Sequence, residues 1–239
     1  MTHASGISPR ALRIVAAHSA IAGLCPLIPL PYVDDLLIRR INGRMCKTLF
    51  EAHDLTLTSS AERVLTDTPS KWLRGAVTSV ALFPVRKAMR KIVYVLAIRD
   101  CADVASAVFH DGWLLAYLLE HGGQRRGPAL DDTRYLQKVR KAMRRTYQEI
   151  DPAPLRRALV GAFLGARVGA GHAVRAVQRM RGGGEATHSK GVENLIGEMR
   201  AAAGTQWHYL DALEQRFRRH LGLPAQHPGL SASEANQSA

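Results

Sequence analysis

No run of alternating apolar and polar residues in this chain is long enough to make a strand. A sheet-based fold is therefore not expected, and helical periodicity carries nearly every segment. Cysteine is scarce: Cys25, Cys46 and Cys101 are far apart, odd in number and form no CxxC. That argues against a disulfide framework or zinc knuckle, suits a reducing compartment, and leaves three small buried hydrophobes. Aromatic residues are only 6%, which leaves few stacking platforms for single-stranded nucleic acid. There is no P-loop, no dinucleotide fingerprint and no GxSxG. Gly182-Gly183-Gly184 lacks a following Lys-Ser/Thr and is a linker rather than a phosphate cradle. No cofactor is implied.

Acidic residues are outnumbered. Thirty-three Lys and Arg face twenty Asp and Glu, giving a net charge of +13. Such a chain is drawn to polyanions, either nucleic acid or an anionic membrane. The excess is concentrated: residues 124–181 hold fourteen basic residues against four acids. Charge-free sequence is concentrated too. From Ile14 to Val33 no residue is charged if His18 is neutral. Twenty such residues meet the length of a membrane span, but Pro26, Pro29 and Pro31 break its second half. An export signal, with Arg10 and Arg13 before an apolar run ending Ala20-Ile21-Ala22, is the weaker reading.

Ser8-Pro9 starts a first helix that runs to about Gly23. An apolar proline corner follows, in which Cys25, Ile28 and Leu30 precede prolines and are expected to be non-helical. Leu27, Ile28 and Leu30 are either packed under other helices or form a shallow insertion tip. A second helix runs from near Pro31 to about His53, with Leu37, Ile41, Met45 and Leu49 as its apolar stripe. Ser59 and Glu62 have capping-box spacing, and Pro69-Ser70 starts a helix reaching Pro84. From Val85 to His121 the pattern reads as a pair of buried helices. Asp100, Asp103 and Asp111 make a membrane span there unfavourable.

Gly122 to Pro128 is a break. Beyond it, Leu136, Val139, Met143, Tyr147 and Ile150 form one stripe, and Arg134, Lys138, Lys141 and Arg145 the opposite face. Such a basic amphipathic helix reads as a membrane-surface element as readily as a nucleic-acid contact; scarce aromatics favour the membrane. Gly161, Gly165 and Gly169 recur every four residues on the next helix, from Leu155 to about Arg181. This spacing suits close helix packing within the domain, or homo-oligomerisation. Val192 to Leu221 reads as one last helix. The expected architecture is an all-α bundle: an apolar helical domain over 1–123, a basic helical region over 124–222 in the same or a second domain, and a disordered tail over 223–239.

Two His-Asp doublets, His53-Asp54 and His110-Asp111, match in miniature the motif of metal-dependent HD-type hydrolases. In those enzymes imidazoles and carboxylates hold metal ions that activate water. A doublet near a helix end is more often a capping feature.

The stretch IPLPYVDDLLIRRINGRMCKTLFEAHDL, residues 28–55, resembles the start of the YcjF-type bacterial helical domain and of EcsC-like helical proteins. The resemblance extends over residues 14–122. It implies an all-helical, membrane-associated accessory protein, partnered by a protein such as a small GTPase, and no catalytic residues. The expected function is thus a non-catalytic helical protein at the cytoplasmic face of the inner membrane, peripheral or partly inserted. The alternatives are a nucleic-acid-binding helical protein and an HD-type hydrolase.

Overall fold

The computed structural model describes residues 6–27, 34–66, 90–122, 130, 132–166, 175 and 190–223. Among them are eight α-helices and no strand. The elements are α1 (Pro9–Leu24), a 3₁₀ turn (Cys25–Leu27), α2 (Asp34–Ala52), α3 (Ser59–Thr66), α4 (Arg90–His121), α5 (Thr133–Glu149), α6 (Ala153–Ala166), α7 (Lys190–Thr205) and α8 (Trp207–Leu221). Ile28, Leu30, the Pro69–Pro84 segment, Gly169 and the tail beyond Leu223 lie outside the described residues.

Two apolar helices organise the bundle. Helix α1 starts as its sequence dictates: Ser8 caps it, its hydroxyl accepting from the Ala11 N–H at 3.2 Å, and Pro9 occupies the first turn. From Val15 to Leu24 every residue except His18 is buried. The part of the charge-free run up to Leu24 is therefore spent on a core helix packed by other helices. No helix among the described residues is long and apolar enough to cross a membrane. Helix α4 is a single continuous element where the periodicity suggested a pair, about 48 Å long at 1.5 Å per residue. It runs antiparallel to α1, as the approaches of Ser8 to Glu120, Val15 to Gly112 and Gly23 to Cys101 show.

Gly23 is where three helices meet. A Cβ there would lie 2.5 Å from Phe163 Cζ and 2.8 Å from both Ala105 Cβ and the Cys101 carbonyl. The backbone neighbour cannot swing away, so Gly23→Ala is expected to cost about 1–3 kcal/mol. Gly161 is the counter-case: it is exposed, with nothing within 4 Å of an added Cβ. Gly161→Ala should stabilise by up to about 1 kcal/mol through helix propensity. Melting both variants tests the pair, and opposite signs are the expected result.

The remaining helices cover this centre. Helices α2 and α6 pack on α4, α7 packs on α6 and α1, and α5 packs on α8 and α3. One hydrophobic core joins residues from Ile7 to Phe217, so the basic half shares the core of the apolar half.

Three local expectations need correction. Cys25, expected to be non-helical, is in the right-handed helical region (φ −57°, ψ −41°). Its N–H bonds the Ala22 carbonyl, the acceptor that the missing amide of Pro26 would otherwise strand. The cap of α3 is Thr58 rather than Ser59. Its hydroxyl accepts from Ala61 N–H at 3.3 Å and its carbonyl from Glu62 N–H, so no capping box forms. The final helix is broken at Gln206 (φ −103°, ψ 26°), because α7 packs on α6 and α1 while α8 packs on α5 and α4. One straight rod would not reach both.

Candidate polyanion-binding face

Helix α5 is the element on which the charge pattern resolves. Its N-cap is Asp132, whose carboxylate accepts from the Arg134 N–H at 2.8 Å. Leu136, Val139, Ala142 and Met143 are buried beneath it. Arg134, Lys138, Lys141 and Arg145 are all exposed. Their spacing of four, three and four places them on one stripe. From Thr133 to Gln148 the helix has no carboxylate. Among the described residues none of the four cations is ion-paired. Glu149, at the end, is held by His220 at 2.9 Å.

Arg140 is the residue that the sequence reading missed. It is only 6% exposed and its guanidinium pairs with Asp111 at 2.9 Å. The signal was present: Arg140 stands in register with Leu136 and Met143, on the apolar stripe, and Asp111 interrupts the apolar sequence of α4.

That pairing also decides the second His-Asp doublet. Asp111 serves Arg140. His110 is fully enclosed, with Nδ1 against the Ser106 carbonyl and Nε2 against the Tyr209 hydroxyl, each at 2.6 Å. Burial depresses its pKa to about 4, so the imidazole is neutral and structural. In the first doublet, His53 lies 3.9 Å from Glu120 and Asp54 takes the left-handed turn (φ 57°) after α2. The doublets sit about 15 Å apart along α4, at Glu120 and His110. Among the described residues no group of three or more His, Cys, Asp or Glu could hold a metal ion. Nor do the cysteines make nucleophiles: all three are buried and free. Burial pushes the Cys46 and Cys101 thiols up to about 12.

The other sequence candidates separate. Leu27 is partly buried and packs against the core, while Ile28 and Leu30 lie outside the described residues. Gly161 makes no close helix contact among the described residues. Gly165 is also exposed, with only the Glu198 carboxylate in ordinary contact range. The expected close packing inside the domain is absent at both, because the buried side of α6 is formed by Leu155, Leu159, Ala162 and Phe163.

A second buried acid stands opposite His110 in its pH behaviour. Glu214 accepts from the Trp113 indole N–H at 2.8 Å and lies directly against Gly6. Burial raises its pKa from 4.5 to about 7, against the pull of the Trp113 hydrogen bond. Its contribution to stability is full below pH 4.5 and is lost as pH rises through about 7. The depressed His110 contributes above pH 6.5 and loses that as pH falls through about 4. The two slopes oppose each other between pH 4.5 and 6.5. Glu214→Gln should leave a profile that rises over this window. Relative to the variant, the wild type should lose about 3 kcal/mol between pH 4.5 and 7. Denaturant unfolding across pH measures this, and parallel profiles would contradict it.

Comparison with protein families, curated proteins and solved structures returns no match.

Proposed function

We propose that this chain is a non-catalytic helical accessory protein that docks on an anionic membrane surface, on the cytoplasmic side, through the exposed face of α5. One observation carries the reading: four exposed cations form a single stripe on a helix whose opposite face is locked into the core. A cation near an anionic bilayer is worth on the order of 1 kcal/mol. Four give roughly 4 kcal/mol, a dissociation constant near 1 mM on its own. The docking is therefore surface-bound, reversible and salt-sensitive. The resemblance of residues 14–122 to YcjF-type and EcsC-like domains adds a protein such as a small GTPase as a further partner.

Sedimentation with vesicles tests this. The protein should pellet with phosphatidylglycerol-containing vesicles at low salt, far less at high salt, and not with purely zwitterionic vesicles. Retention of duplex DNA without pelleting would replace the membrane with nucleic acid as the polyanion.

A further inference from the structure

We infer that the end of the bundle bearing Leu36, Leu96 and Leu164 is the part that enters the anionic bilayer, supplying the apolar half of the attachment. This rests on the membrane reading above and answers a shortfall in it, since a basic patch of this size gives only marginal binding and stable anchoring takes a second signal.

Besides Trp207 at the start of α8, 37% exposed, the large apolar side chains exposed among the described residues are three leucines: Leu36 at 69%, Leu96 at 43% and Leu164 at 46%. The helix registers bring these three to one end. Gly23, in the last turn of α1, lies against Phe163 of α6 and Cys101 of α4. Leu164 follows Phe163, and Leu96 stands five residues beyond Cys101, about 7.5 Å further along α4. Helix α2 runs parallel to α4, since Met45 lies against Gly112 and His53 near Glu120. Leu36 therefore falls level with Asp103. The three leucines thus share roughly 10 Å of the bundle axis.

The surroundings fit a lipid headgroup layer. Arg39 and Arg40 are exposed within one turn of Leu36, and Arg99 is exposed one turn from Leu96. Apolar tips with arginines a turn away match the boundary between acyl chains and anionic headgroups. The first turn of α2 carries Asp34 and Asp35, and the carboxylates described at this end are Asp100, Asp103 and Glu198, the last exposed beside Gly165. Asp100 is half-buried and has a partner within the chain. Asp103 is met by Arg156 at 3.5 Å.

Single-cysteine labelling decides the matter, since the three native thiols are buried and stay unlabelled in the folded protein. Leu36→Cys, Leu96→Cys and Leu164→Cys would each carry an environment-sensitive fluorophore. Glu51→Cys is the control, exposed in the last turn of α2 at the other end. With phosphatidylglycerol-containing vesicles the three tip labels should brighten severalfold, shift to the blue and be quenched by brominated lipid. The Glu51→Cys label should not respond. Leu36→Ser with Leu96→Ser should weaken vesicle binding roughly tenfold or more, with melting unchanged. Pelleting with vesicles without a response at the three tip labels overturns the insertion while leaving the surface docking in place. Failure to pellet at all overturns both.

Discussion

Replacing Arg134, Lys138, Lys141 and Arg145 together by glutamate is expected to lower affinity for anionic vesicles by roughly a thousandfold or more. The four cations supply on the order of 4 kcal/mol, and each 1.4 kcal/mol is about tenfold. Reversal also adds repulsion, so the estimate is a lower bound. Stability should change little. All four side chains project into solvent, where substitutions usually stay within about 0.5 kcal/mol. Glutamate is also as good a helix former as the residues replaced. Vesicle titration alongside a circular dichroism melt separates the two effects. A variant that melts like the wild type and still binds as tightly would show that the face is only a solvated helix surface.

A different kind of loss is expected from Arg140→Ala. The Arg140–Asp111 pair joins α5 to the centre of α4 at 2.9 Å, with the arginine side chain 8% and the aspartate 27% exposed. Truncating the arginine strands a carboxylate in a pocket lined by Met45, Cys46, Leu115 and Met143, with Asn42 the other polar side chain there. Breaking a buried pair typically costs about 3–5 kcal/mol. The partial exposure of Asp111 places this one near the low end. Against a total stability of about 5–15 kcal/mol that is a large fraction. The double variant Arg140→Met with Asp111→Asn should recover much of the loss, because no uncompensated charge is left buried. Urea unfolding of Arg140→Met, Asp111→Asn and the double measures the coupling. Strictly additive losses would mean that the pair does not act as a unit.

Legibility tracked how local the determining physics was. The start of α1 was readable because Ser8-Pro9 acts on its own first turn. The stripe of α5 was readable because Leu136, Val139 and Met143 recur at helical spacing. Helical content throughout was expected for the same reason. What escaped depended on partners distant in sequence. Arg140 was grouped with no face because its partner, Asp111, lies on another helix. The break at Gln206 follows from two docking sites that α7 and α8 reach separately. Gly161 and Gly165 had the spacing of a packed seam, yet packing is decided by the face that Phe163 and Leu159 present. Cys25 obeyed its hydrogen-bond needs over the usual restriction before proline. His110 and Asp111 read as metal-ligand types, and only the positions of Tyr209 and Arg140 assign them structural work.

The central claim is that the α5 stripe is the surface that meets the membrane, and amine-reactive footprinting reads that surface directly. The protein is labelled with and without phosphatidylglycerol-containing vesicles, and the modified lysines are quantified by mass spectrometry. Lys138 and Lys141 are exposed on the stripe, and Lys47 is exposed on α2 beside Glu51. The account predicts strong loss of labelling at Lys138 and Lys141 on vesicles, with Lys47 still reactive. Vesicle-bound protein in which Lys138 and Lys141 stay as reactive as in solution would contradict it.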